Sequence, residues 1–72
     1  MTAFEMKIQF CKRIFDLRTG NELSLPELAR RSGLSLAMLE ELERGIVPKR
    51  MMVADAWKLA GVFGRELHEL FR

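Results

Sequence analysis

A chain of 72 residues predicts one domain, residues 1–72, which can bury roughly 60% of its unfolded surface. Its 49% hydrophobic and 31% charged residues exclude simple disorder, and no apolar run approaches the ~20 residues that span a bilayer. One cysteine and one histidine exclude an internal disulfide and argue against a closed zinc site. The net charge of +2 permits a nucleic-acid partner without requiring one.

Apolar residues recur at helical spacing throughout the chain, and five helices are predicted. Helix 1 covers residues 3–18, because Thr2 and Glu5 fit a capping box and a Gly-Asn pair follows at residues 20–21. Ser24, with a second capping box to Glu27, begins helix 2, and Ser35 begins helix 3, which runs to about residue 44. Helix 4 is predicted over residues 50–62 and helix 5 over residues 65–71.

Helix 1 carries two apolar stripes about 140° apart. The stripe assigned to the core contains Met6, Phe10, Ile14 and Leu17. The second stripe contains Phe4, Ile8, Cys11 and Phe15, and either Phe63 and Phe71 cover it within the monomer or it forms a dimer surface. A second candidate for a dimer surface is formed by Ile46, Val47, Met51 and Met52. Later core positions are predicted at Val53, Trp57, Ala60, Leu67, Leu70 and Phe71.

Residues 24–45 have the layout of a helix-turn-helix. Apolar side chains that must point inward are Leu28, Leu34, Leu39 and Leu42. Ala29 is small where a second helix crosses, and Gly33 suits a turn position that needs positive φ. The second helix of such a motif can enter a DNA major groove.

Six stretches of the chain resemble the phage-repressor-like helix-turn-helix family of the Cro and Xre type. They are IFDLR at 14–18, LSLPELA at 23–29, SGLS at 32–35, LERG at 42–45, LAGVFG at 59–64 and LHELF at 67–71. The resemblance implies an all-α, lambda-repressor-like fold, a compact orthogonal bundle of five helices. It also implies a transcriptional regulator that binds double-stranded DNA as a homodimer on paired half-sites, without cofactor or metal. A cytoplasmic protein, nucleoid-associated in a bacterium or encoded by a phage, is expected.

The same resemblance implies which residues contact DNA. Helix 3 would face base edges with Ser35, Leu36, Ala37, Glu40 and Glu41. Phosphates would be contacted by Ser24, Leu25, Arg44, Lys49 and Arg50. In some relatives an arginine late in helix 1 pairs with the glutamate two residues before the helix-3 glycine. Those positions are Arg18 and Glu43 here, and the alternative is two separately solvated charges.

The predicted recognition helix departs from the family pattern. Leu36 and Ala37 offer only apolar contact, and residues 35–43 carry three acids and no base. Leu25 stands where relatives usually have a phosphate-contacting glutamine, and Arg30 and Arg31 are either phosphate contacts or solvated charges. The alternative function is therefore a helix-turn-helix used mainly to bind another protein. No catalytic constellation is evident in the sequence, so no enzyme is expected.

Overall fold

The computed structural model describes residues 2–71. Within this range the chain forms four α-helices and one 3-10 helix, which are joined by turns and loops. They are α1 (Ala3–Gly20), α2 (Leu25–Ser32), α3 (Leu36–Glu43), α4 (Val53–Val62) and the 3-10 helix (Leu67–Phe71). α1 packs against α3 and the 3-10 helix, while α2 packs against α3 and α4. The all-α prediction is confirmed, but the fifth element is a 3-10 helix and not the α-helix predicted over residues 65–71.

Side-chain caps determine where α1 and α2 begin. The Thr2 hydroxyl accepts from the Glu5 N–H at 3.1 Å, and the Glu5 carboxylate accepts from the Thr2 N–H at 3.2 Å. This is the predicted capping box. In α2 the Ser24 hydroxyl accepts from the Glu27 N–H at 3.2 Å, whereas the Glu27 carboxylate forms an ion pair with Arg30. The second capping box is therefore only half formed.

The turn between α2 and α3 depends on Gly33, whose φ is +76°. This left-handed conformation would cost a residue with a Cβ about 1–2 kcal/mol. The Ser32 hydroxyl accepts from the Leu34 N–H at 3.2 Å, and the Ser35 hydroxyl accepts from the Met38 N–H at 3.1 Å to cap α3. The two helices are thus separate, as the helix-turn-helix prediction requires.

α4 begins at residue 53 and not at residue 50 as predicted. The Met51 N–H donates to the Pro48 carbonyl at 3.0 Å, so the chain still turns at these residues. The Met52 N–H then donates to the Asp55 carboxylate at 2.9 Å. This hydrogen bond makes Met52 the N-cap, so the helix begins at residue 53. A side-chain acceptor three residues into α4 therefore determines its start.

The core is one cluster to which every helix contributes. Its most deeply buried side chains are Phe10, Leu28, Leu39, Leu42, Leu59 and Leu70. Phe71 stacks on Phe10 with ring centroids 5.1 Å apart. Cys11 is buried beside them, and desolvation raises the pKa of its thiol above the ordinary value, as fits a packing residue.

Three residues assigned to the core are exposed. Met6 on α1 and Val53 and Trp57 on α4 point into solvent, so these predictions are wrong. In α4 the core is lined by Ala56, Leu59 and Ala60. Apolar residues occupy most positions of this helix, so its periodicity does not select which face packs inward.

Phe63 and Phe71 do not cover the second stripe of α1. Phe71 packs on Phe10, and Phe63 packs against the core, while Phe4, Ile8 and Phe15 remain exposed. The prediction of cover within the monomer is therefore wrong. None of the helices within residues 2–71 is long and apolar enough to cross a membrane.

Candidate nucleic-acid interface

The outer face of α3 is solvent-exposed along its length. Leu36, Ala37, Glu40 and Arg44 fall within an arc of about 100° at 100° per residue, on the side away from the buried face. The buried face consists of Met38, Leu39 and Leu42. Because the inward side is fully used in packing, this outer arc is the part of α3 that can contact a partner.

Arg18 links the end of α1 to the end of α3. Its Nε donates to Glu43 Oε1 at 2.5 Å, and its Nη1 donates to the Leu23 carbonyl at 2.8 Å. The guanidinium also lies 5.6 Å from the Phe15 ring centroid. Only 18% of the Arg18 side chain and 19% of the Glu43 side chain are exposed. Such a partly buried, charge-assisted contact ties the orientation of α3 to α1.

A second ion pair joins α3 to the loop that follows it. Arg50 Nη1 lies 3.4 Å from Glu41 Oε2, an oxygen that is buried and has no hydrogen-bond partner among residues 2–71. The sequence analysis placed Glu41 against bases and Arg50 against phosphate as separate residues. The structure brings the two together, so the Glu41 carboxylate faces the loop cation.

The two ion pairs change the electrostatics of α3. Cations from outside the helix face two of its three carboxylates, Glu41 and Glu43. Within residues 2–71, Glu40 is the acid of α3 that has no ion-pair partner. Arg44 and Lys49 are exposed cations near it in the chain, and they too have no ion pair in this part of the chain. The surface is therefore less acidic than the sequence of α3 suggests.

The beginning of α2 presents main chain and not a polar side chain. Ser24 is exposed and its hydroxyl caps the helix, while Leu25 packs against the core. Backbone N–H groups in the first turn of a helix lack intrahelical partners and attract anions. Leu25 can therefore contribute to phosphate binding only through its backbone.

The cations of α2 are engaged with their own helix. Arg30 forms an ion pair with Glu27, and Arg31 Nε lies 3.9 Å from the same carboxylate. Both arginine side chains are more than half exposed. Exposed pairs of this kind contribute about 0–1 kcal/mol, so they can open at little cost when a polyanion approaches.

Sequence reasoning located four exposed positions at α3, which are Ser35, Leu36, Ala37 and Glu40. It also placed Glu41 on this face, whereas that side chain is half-buried and contacts Arg50. The two residues lie nine positions apart across a loop, and no local spacing rule predicts such a contact. Within the described residues, no group of three or more His, Cys, Asp or Glu side chains could hold a metal ion. His68 is exposed on the 3-10 helix.

Comparison with protein-family models gives no match, and comparison with curated proteins gives none either. Among solved structures, the chain is similar to the crystal structure of an HTH_3 family transcriptional regulator from Vibrio cholerae. The TM-score is 0.82 at 31% sequence identity, and the match covers 97% of this chain but 38% of that one. The chain thus spans well under half the length of this relative. In fold and in sequence the chain is thus similar to an HTH_3 family transcriptional regulator, which is consistent with the predicted resemblance to the phage-repressor-like, Xre-type helix-turn-helix family.

Proposed function

We propose that the chain is a sequence-specific DNA-binding transcriptional regulator whose α3 enters the major groove. An exposed helix that follows a left-handed glycine turn, with its inner face in the core, has the form required for this role. The similarity to an HTH_3 family transcriptional regulator supports the same function. A DNA-binding role of this kind requires neither a catalytic residue nor a metal.

The pairing of the α3 carboxylates is the observation that carries this proposal. A helix with three free acids would be repelled by phosphates, because DNA carries one charge per about 1.7 Å of helix axis. Arg18 and Arg50 neutralise Glu43 and Glu41, which leaves Glu40 as the acid to be accommodated. Arg44 and Lys49 then supply positive charge beside the groove.

Each exposed residue has a proposed role in the complex. Leu36 and Ala37 contact apolar base edges such as a thymine methyl, and Glu40 accepts from a cytosine amino group. Ser35 contacts a base edge at the start of α3, where its hydroxyl also caps the helix. Glu41 reaches a base only if its ion pair with Arg50 opens.

Phosphate contacts come from two sides of the recognition helix. Arg44 and Lys49 flank the end of α3, and Arg50 would join them only at the cost of leaving the Glu41 carboxylate without its counter-charge. Ser24 and the backbone of Leu25 meet the phosphates at the start of α2. These residues give three to five phosphate contacts per protomer, and a homodimer would present two such sets to half-sites about 34–36 Å apart.

Selection of bound duplexes from a random DNA pool tests the proposal directly. We expect an enriched sequence with two related half-sites. Affinity for it should fall about 40- to 500-fold per protomer between about 50 and 200 mM salt, because each neutralised phosphate contributes about −0.9 to the salt slope. A protein that enriches no sequence and has no measurable affinity at the lower salt is not a DNA-binding regulator.

The second candidate function is a protein-binding module. Leu36 on the outer face of α3 is 40% exposed, and it lies one helical turn from Glu40, whose carboxylate has no ion pair within residues 2–71. An apolar residue next to an acid suits a basic, partly apolar protein surface better than a polyanion. This alternative would be supported if duplex selection fails and a partner protein binds the wild-type chain but does not bind the Leu36→Lys variant.

A further inference from the structure

We infer that α1 pairs with α1 of a second copy of the chain, antiparallel, through its exposed apolar stripe. The α1 stripe is defined by Phe4, Ile8, Cys11 and Phe15, and none of these four residues is among those proposed to contact DNA. The inference rests on the homodimer of the proposed function and adds to it, because it specifies which surface joins the two copies.

The stripe is exposed although the core is complete. Phe4 is 71% exposed, Ile8 46% and Phe15 45%, while Cys11 between them is buried. At 100° per residue the four positions fall within an arc of about 60° on α1. Three exposed apolar side chains on one face of a helix are unfavourable in water and are typical of an association site.

The order of residues along the stripe matches a two-fold pairing. The spacings are four, three and four, with an aromatic ring at each end. When a second α1 lies antiparallel with its midpoint between residues 9 and 10, Phe4 faces Phe15 of the second copy and Ile8 faces its Cys11. A two-fold interface must be complementary to itself, and this pattern meets that condition.

A groove beside the stripe offers a seat for the incoming ring. It has a volume of about 400 Å³ and runs between α1 and the end of α3. Its wall combines the apolar side chains of Ile8, Cys11, Phe15 and Leu42 with Gly45 and with three charged residues, Lys12, Glu43 and Arg44. In the antiparallel register, Phe4 of the second copy lies at the level of Phe15 along the helix axis, and so at this groove. Cavities of roughly 300–1,000 Å³ hold small molecules larger than a phenyl ring, so the space is sufficient.

Charges on one flank of the stripe also match in this register. Glu5 and Lys12 lie on the same side of α1 and are both exposed. Antiparallel pairing brings Glu5 within about 3 Å of Lys12 of the second copy along the axis, at 1.5 Å per residue. The two-fold symmetry produces this opposite-charge pair twice, which favours a second copy as the occupant.

Sedimentation equilibrium of the chain without DNA, over about 5–500 µM, measures the pairing. The stripe is small beside the ~800 Å² per partner of a standard interface, so we expect a dissociation constant on the order of 10–100 µM. Phe4→Glu should weaken the dimer about tenfold or more, since a buried aromatic ring is a typical anchor. Trp57→Glu, at a side chain 67% exposed on α4, is the matched control and should leave the dimer unchanged.

A charge exchange tests the register itself. Lys12→Glu places acids opposite each other and should weaken the dimer, and the double variant Glu5→Lys with Lys12→Glu should restore it. Glu5→Lys alone is measured beside them, because this change also removes the capping box at the start of α1. Far-UV circular dichroism checks that the variants at these exposed positions are folded. The inference is overturned if the wild type has the mass of a monomer at 500 µM. It is also overturned if Phe4→Glu dimerises as strongly as the wild type.

The same preparations, added to the selected duplex, separate this inference from the proposed function. A wild type that binds DNA but stays monomeric without it overturns pairing through α1 only. A wild type that dimerises through Phe4 but binds no duplex supports the α1 interface and overturns the DNA-binding role.

Discussion

The ion pair between Arg18 and Glu43 predicts a measurable loss of stability in Glu43→Gln. A charge-assisted hydrogen bond contributes about 1.5–3 kcal/mol, against about 0.5–1.5 kcal/mol for a neutral one. Glutamine keeps an acceptor oxygen, and Arg18 keeps its bond to the Leu23 carbonyl. Because about a fifth of each side chain reaches solvent, the loss should fall below the 3–5 kcal/mol of a fully buried pair. We expect a loss of about 1.5 kcal/mol.

Urea and thermal denaturation, both followed by circular dichroism, test this value. For a domain of this size, a loss of 1.5 kcal/mol corresponds to a fall in Tm of about 6–12 °C. Glu40→Gln is the matched control, because Glu40 lies on the same helix, is exposed and has no ion pair within residues 2–71; it should change stability by less than about 0.5 kcal/mol. Equal midpoints for Glu43→Gln and Glu40→Gln would refute the argument that the partly buried ion pair holds α3 to α1.

Four further predictions concern Glu41 on α3, Lys49 in the loop after it, and two glycines. Glu41→Gln should release Arg50 to phosphate, so DNA affinity at low salt should rise and the salt slope should steepen by about 0.9 per protomer. Lys49→Ala should weaken binding to all duplexes alike and reduce the slope by about the same amount. Gly33→Ala should destabilise the fold by about 1–2 kcal/mol, because φ is +76° there although a Cβ would meet no atom within 4 Å. Gly61→Ala, inside α4 with the same open space, should stabilise it by about 0.5–1 kcal/mol.

Each of these has an outcome that contradicts it. Weaker DNA binding by Glu41→Gln would mean that Glu41 positions Arg50 for phosphate instead of competing with it. An unchanged salt slope in Lys49→Ala would place that side chain away from the DNA backbone. If Gly33→Ala and Gly61→Ala shift the urea midpoint in the same direction, the left-handed backbone at residue 33 is not the reason that the turn needs a glycine.

Sequence alone determined the features that depend on neighbours a few residues away. The capping box of Thr2 and Glu5, the caps at Ser24 and Ser35 and the left-handed turn at Gly33 were all predicted and are present. Caps and turns are made by groups within about four residues of each other, so residue type and spacing suffice to predict them. The helix-turn-helix followed from these local signals together with the leucines of its inner face.

Tertiary structure decided which apolar faces are buried and which charges meet. Trp57 and Met6 resemble core residues by type and spacing, yet the helices packed beside them bury other positions. Helical periodicity defines a face, but only the neighbouring elements decide whether that face is covered. The pairing of Glu41 with Arg50 likewise depends on the path of the loop, because nine residues of chain can bring charges together or leave them apart. For that reason the charge of the recognition surface is a property of the folded chain, and the sequence of α3 by itself overstates its acidity.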